Sequence, residues 1–271
     1  MLANLSRRAA GLVRHRVSAS LRSDPAFAAS LLLLLDSRAF CPTGPGGGQD
    51  NSCGPDGGGA TSDEPKLPGL EVSDIEAAAK WGKRAYREWG KTREIRHKNA
   101  LDDYISGGST AINARLRAGR TTDLKDRESV EEGNRVLRVM HAMKGAVVPE
   151  DIIVYRGLNG GGGSDETGES VSTEFDGEHV VGETYQDRGF MSTTMVRAHA
   201  EEAYGDPEMH ESPTILRLSV PKGTRGAYVD AASKHPTGEA ELLLWAGTKY
   251  KVEAVTNDAK GRRIVHGTVV R

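Results

Sequence analysis

Two glutamates two residues apart, Glu239 and Glu241 in GEAELLLWAG (238–247), stand at the mouth of an apolar run. A strand repeats every two residues, so both carboxylates are expected on one face, roughly 7 Å apart along the chain. Leu243 and Trp245 continue that face, while Ala240, Leu242 and Leu244 turn the other way. Like charges held this close perturb each other's proton affinity, which suits acid–base or charge-stabilising work in a cleft. Most Glu-x-Glu pairs are only solvated strand ends, so other polar residues must converge on this one to give it a chemical role. Arg156 ends the apolar run IIVY (152–155), and an arginine there can hold a phosphate pair with its planar fork. Ser192, Thr193 and Thr194 place three hydroxyls in GFMSTTM (189–195), where a buried strand would carry valine or isoleucine, although Ser and Thr are common in strands.

The elements that must position these groups change character along the chain. Ser73 and Glu76 read as a capping box, followed by Ile75, Ala78, Trp81, Ala85 and Trp89 at helical spacing. ALDDYISGGSTAINARLRAG (100–119) reads as a helix, a Gly-Gly break and a short helix ended by Gly119. DRESVEEGNRVLRVMHAMKG (126–145) is a further helix, with Val136, Val139, Met140 and Met143 apolar and Gly145 placed to stop it. After Pro149 the period becomes that of strands: DIIVYRGL (151–158), RGFMSTTM (188–195), TILRLSVPKG (214–223), AELLLWAGTKYKVEAV (240–255) and RRIVHGTVVR (262–271). Helices first and strands afterwards indicate an α+β class. The polar stretch 159–178 is an insertion; its glycines lack a following Gly-Lys-Ser/Thr, and no G-x-G-x-x-G opens a helix after a strand, so a phosphate-loop reading fails.

Composition bounds the rest. The 271 residues are 37 % hydrophobic with 33 glycines, low for a chain folded end to end, so a globular part with irregular segments is expected. A net charge of −2 argues against a nucleic-acid binder. The charge is uneven: residues 1–40 carry six arginines against Asp24 and Asp36, or +4, leaving −6 for the remainder. Residues 1–39 read as a basic, helical N-terminal segment; AFAASLLLLL (26–35) has the length of a signal-peptide core, but Asp36 and Arg38 sit where small residues should precede cleavage. No run approaches the roughly eighteen apolar residues of a membrane span. Residues 40–70 are a Gly/Pro-rich linker holding both cysteines, Cys41 and Cys53, as a disulfide or as free thiols. They make a poor zinc site, and no metal is expected. The glycine tract between them resembles segments of phage head-associated proteins. No G-x-S-x-G or H-E-x-x-H supports a hydrolase triad or a zinc enzyme.

In order, YRG, STT and EAE resemble the Arg, Ser-Thr-Ser and Glu-x-Glu signatures of the bacterial-toxin type of mono-ADP-ribosyltransferase. ALDDYISGGSTAINARLRAG is similar to that family's tyrosine-bearing helix ending in Ile-Asn-x-x-Leu-Arg, and GEAELLLWAGTKYKV to its catalytic strand and Gly-x-x-Tyr/Phe-x-Val successor. The match spans 71–271, with one departure: Thr194 stands where Ser is usual, retaining a hydroxyl. The resemblance implies a helical lobe packed on a two-sheet antiparallel β-sandwich, with NAD as co-substrate. By position it gives Arg156 the NAD pyrophosphate, helped by Asn113 and Arg117. Gly157 and Thr193 join the NAD site, with Phe190 and Tyr104 as stacking partners for nicotinamide or adenine, although core packing explains either alone. Ser192 would aim Glu241, the carboxylate that favours loss of nicotinamide by facing an oxocarbenium-like sugar. Glu239 would take the proton of an arginine acceptor, since in this family Glu-x-Glu goes with arginine and Gln-x-Glu with other acceptors. The loop DAASKHPTG (230–238), with Lys234 and His235, would meet the target protein.

Three functions therefore compete: a mono-ADP-ribosyltransferase acting on protein arginine, an NAD glycohydrolase with water as acceptor, and a virion- or secretion-associated binding protein carrying the domain. The basic segment and linker, residues 1–70, suit attachment to a virion or delivery apparatus. The expected location is outside the producing cell, as a secreted or delivered effector, or on a virion if phage-encoded.

Overall fold

The structure, a computed structural model, describes residues 64–119, 127–158, 179–204 and 214–271. The basic segment 1–39, both cysteines and the insertion 159–178 lie outside the described residues, so the expectations for them stand where the sequence left them.

The helices come first. Helix α1 (Ile75–Ala85) is capped by Asp74, whose carboxylate accepts from Ala77 N at 2.8 Å. Ser73 donates to Asp74 rather than capping the helix itself, so the cap sits one residue later than its sequence pattern suggests. Tyr86 breaks the helical run, and α2 (Arg87–Lys91) continues it. Glycine lets both helices approach the segment Tyr228–Ala231: a Cβ on Gly82 would lie 2.3 Å from the Tyr228 ring, and one on Gly90 2.3 Å from Ala231 O. Helix α3 (Ile95–Asp103) runs into a π-turn at Tyr104–Gly108, where Gly107 takes φ 109°. Helix α4 (Ser109–Arg117) and the long α5 (Arg127–Met143) complete the lobe. Val136, Val139 and Met143 of α5 are buried, as their spacing predicts.

The strands are β1 (Ile152–Leu158), β2 (Thr184–Gln186) and β3 (Met191–Thr194), then α6 (Arg197–Tyr204), then β4 (Thr214–Val220), β5 (Gly226–Tyr228), β6 (Glu241–Leu244), β7 (Lys249–Asn257) and β8 (Arg263–Val270). Their hydrogen-bonded order is β2-β7-β8-β4-β1-β3-β6-β5. Pairing is antiparallel except between β4 and β8. Strand β1 meets β3 at a single register pair, Tyr155 opposite Thr194. The order thus divides at that pair into a five-strand and a three-strand run, a mixed form of the expected two-sheet core. One apolar cluster joins the two runs to the helices, with Leu101, Ile112 and Val136 beside Val154, Leu218, Val252, Leu242 and Leu244.

Residues 64–70 do not behave as linker. Leu67 is buried with Ile153, Tyr155, Ala200, Ile215 and Ile264 in a second, smaller cluster. Leu70 bridges Ile152 in parallel, Pro65 O accepts from Arg217, and Pro68 O accepts from Ser219. Glu64 and Glu71 neutralise Arg197 and Arg217, two arginines with little solvent exposure. The segment therefore straps the sheet, and its low apolar content concealed that it serves mainly as a partner for buried charge.

Candidate functional site

Ser192 and Glu241 lie on adjacent antiparallel strands, β3 and β6. The Ser192 hydroxyl donates to Glu241 Oε1 at 2.5 Å, the short distance of a charge-assisted bond. Glu241 is 6 % exposed. Burial pushes its proton affinity up, to a pKa of about 7; the Ser192 bond and the Arg156 cation oppose this, while Glu239 and Asp230 add to it. A carboxylate poised near neutrality and aimed by a hydroxyl can ionise on demand and face a developing positive charge.

Glu239 arrives differently from its sequence expectation. Strand β6 begins only at Glu241, and Ala240 between the acids takes φ 53°, a left-handed conformation that alanine rarely adopts. The two-residue repeat is broken, so Glu239 belongs to the preceding loop rather than to the strand face. Its carbonyl accepts from Thr194 Oγ1 at 2.8 Å, and its amide donates to Thr237 Oγ1 at 3.3 Å. Thr194 thereby ties the first acid to the strand whose Ser192 aims the second. Thr193 points elsewhere, donating to Leu242 O at 2.6 Å in the interior.

Arg156 and Arg117 converge from β1 and α4 on Asp187, a carboxylate with no solvent exposure. Arg117 reaches it with two donors, at 3.2 and 3.1 Å, and Arg156 Nη2 stands 3.6 Å away. Arg156 also donates to Ser192 O at 3.1 Å, so the cation and the hydroxyl that holds Glu241 share one residue. Gly157 follows it in β1, opposite Ile215. Asp187 accepts from Gly189 N as well. Two guanidiniums around one carboxylate leave an excess positive charge, which suits a diphosphate. Sequence reading missed Asp187; its signal was an acid two residues before the glycine that opens GFMSTT.

Asn113 spends its amide on structure. Its Nδ2 donates to Tyr104 OH at 3.0 Å, and its Oδ1 accepts from Phe190 N at 2.9 Å, pinning α4 to the segment that enters β3. Tyr104 and Phe190 are buried and meet edge to face at 5.8 Å, with Phe190 also against Trp245. In this structure all three form the wall behind the site, and neither ring offers an open face. Among the described residues no group of His, Cys, Asp and Glu could hold a metal ion, and no helix is long and apolar enough to cross a membrane.

Known proteins resemble this chain in sequence and in fold. The family model for the ADP-ribosyltransferase exoenzyme matches residues 78–270. The chain is 28 % identical over 202 residues to the epidermal cell differentiation inhibitor of Staphylococcus aureus, covering 69 % of this chain and 79 % of that protein. It is 28 % identical over 159 residues to the NAD(+)--arginine ADP-ribosyltransferase EFV of Enterococcus faecalis, covering 59 % of this chain and 29 % of that one. In fold it is similar to C3stau2 from S. aureus, solved with NAD: TM-score 0.57 at 24 % identity, over 76 % of this chain and all of that one.

Proposed function

The chain belongs to the ADP-ribosyltransferase exoenzyme family, and from that premise we propose that it transfers ADP-ribose from NAD to an arginine side chain of a target protein. The observation that carries this is Glu241, buried, held by Ser192 at 2.5 Å, and preceded two residues earlier by a second acid on a loop. Arg156 and Arg117 hold the pyrophosphate, exchanging part of their contact with Asp187 for it. The bond from the ribose anomeric carbon to the nicotinamide nitrogen breaks, and its electron pair leaves with nicotinamide. Ionised Glu241 stabilises the cationic sugar that remains, and burial strengthens that interaction. A guanidinium nitrogen of the acceptor attacks the anomeric carbon and its proton passes to Glu239, because a protonated guanidinium is no nucleophile. The relative EFV, named for NAD–arginine transfer, supports arginine as the acceptor.

The test incubates the full chain with labelled NAD and agmatine, a small arginine mimic, beside Glu241→Gln and Glu239→Gln. Labelled agmatine with the wild type, lost in both variants, is the expected result. Free ADP-ribose and nicotinamide without labelled agmatine, while Glu239→Gln hydrolyses NAD normally, would replace this reading with an NAD glycohydrolase. NAD neither consumed nor bound in calorimetry would remove the enzyme reading altogether.

A further inference from the structure

Helix α3 ends against its own dipole. Its last turn holds two acids, Asp102 and Asp103, and no basic residue, although carboxylates at a helix C-terminus are unfavourable. Asp103 is compensated within the lobe by Arg135, which donates to both of its oxygens at 2.9 and 3.0 Å. Asp102 instead reaches out of the lobe, to the loop that ends in Glu239. Its Oδ1 accepts from Ser233 Oγ at 2.6 Å and from Lys234 N at 3.0 Å. Ser233 Oγ in turn accepts from His235 N at 2.9 Å, and Lys234 Nζ donates to Asn99 one turn earlier on α3. At its other end the loop is closed by Asp230, which accepts from Thr237 N, while Thr237 Oγ1 accepts from Glu239 N and Thr194 holds Glu239 O.

We propose that Asp102 is a positioning residue for the acceptor half of the reaction: it latches the 230–239 loop to the helical lobe and so sets where Glu239 stands. This rests on the arginine-transfer reading above. Glu241 does not depend on the latch, because its strand and Ser192 hold it from β3. Loss of the latch therefore separates two activities that share one NAD site. Water needs no deprotonation by Glu239, so hydrolysis of NAD continues. Transfer to a guanidinium needs the base within hydrogen-bond reach of the acceptor, and a displacement of about 1 Å at such a group is worth up to about a hundredfold.

The experiment measures agmatine labelling and NAD hydrolysis on the full chain for wild type, Asp102→Ala, Asp102→Asn, Ser233→Ala and Glu239→Gln, with amide hydrogen exchange of the segment 232–239. Asp102→Ala is expected to cut transfer about tenfold while hydrolysis stays within about twofold, and to speed exchange in that segment. Asp102→Asn keeps an acceptor oxygen and restores most of the transfer. Ser233→Ala, which leaves α3 untouched and serves if Asp102→Ala fails to fold, shifts the same ratio. Equal falls in transfer and hydrolysis, or unchanged ratio and exchange in the alanine variants, would overturn the proposal. A wild type that hydrolyses NAD but never labels agmatine would instead overturn the arginine reading, and hydrogen exchange then decides the latch separately.

Discussion

Glu241→Gln should inactivate the protein and make it more stable, and the stabilisation should depend on pH in a definite way. The carboxyl group titrates near 4.5 when unfolded and near 7 when buried at the site. Between these values the folded state holds a proton that the unfolded state has released, so stability from this group is fully present below pH 4.5 and is lost as pH rises through 7. A raised acid thus behaves oppositely to the usual depressed carboxylate. The displacement corresponds to about 3 kcal/mol at pH 8. Glutamine has the same shape, keeps an oxygen for the Ser192 hydroxyl and cannot ionise, so it recovers most of that amount. For a folded part of this size the melting temperature at pH 8 should rise by about 6–12 °C, and at pH 4 the variant and the wild type should melt together. His179 and His266, both depressed to about 4 chiefly by burial, add stability above pH 6.5 that is lost as pH falls through 4; they are common to both proteins and cancel in the difference. NAD turnover should fall at least about a hundredfold in the variant, and wild-type kcat/KM should rise with pH through about 7 as Glu241 ionises. The assay is a pair of melting curves at pH 4 and pH 8 beside a nicotinamide-release measurement. A variant that melts no higher at pH 8, or equally higher at pH 4, would refute the claim that an ionised, buried Glu241 opposes folding.

Leu67→Ala should lower the unfolding free energy in urea by about 2–3 kcal/mol without changing NAD turnover, because Leu67 packs in the cluster behind the sheet. Asn113→Ala leaves Tyr104 OH and Phe190 N buried and unpartnered, so unfolding in urea should cost about 2–4 kcal/mol less. An unchanged stability with a raised KM for NAD would return Asn113 to a direct binding role. Thr194→Val removes the donor to Glu239 O and should depress agmatine labelling about tenfold, whereas Thr194→Ser, which keeps a hydroxyl, should label agmatine at nearly the wild-type rate.

Much of this was legible in the sequence where one short-range rule governed the outcome. The helix ends at Gly119 and Gly145 both carry positive φ, at 67° and 79°, as glycine after a helical pattern predicts. The long strands β1, β4 and β8 lie within the alternating runs, whereas the single run read at 240–255 divides into β6 and β7, with β7 continuing two residues past its end. Strands β2 and β5, three residues each, and the eight-residue α6 are too short to show a period. The strap at 64–70 was unreadable because its role depends on Arg197 and Arg217, more than a hundred residues away. At the site, the residue types and, through the family resemblance, the Ser192–Glu241 pair were readable, and the remaining partners were not. Arg117 and Arg156 carry a basic fork in any sequence, but that both close on Asp187 is a property of three elements meeting. The strand period misplaced Glu239 for a local reason, the left-handed Ala240, which no periodicity encodes.

The places where local rules fail are the places where chemistry is available. Within twelve residues the chain ends a 3-10 turn at Ala231, spans a loop closed by Asp230, forces a left-handed alanine and buries a carboxyl group. None of these helps folding, and local sequence–structure conflicts of this kind are expected at functional sites. They share one geometric result. The left-handed Ala240 turns the chain between the two acids, so that Glu241 enters the sheet beside Ser192 while Glu239 stays on the loop with Thr194 at its carbonyl. An ordinary strand would have put both acids on one face in one environment. The break gives them different surroundings: Glu241 is buried beside Ser192, and Glu239 is half-buried on the loop. Replacing Ala240 with glycine, which adopts that φ without strain, should therefore preserve transfer. A β-branched valine there should depress transfer more than hydrolysis, because the strain falls on the loop side of Glu241.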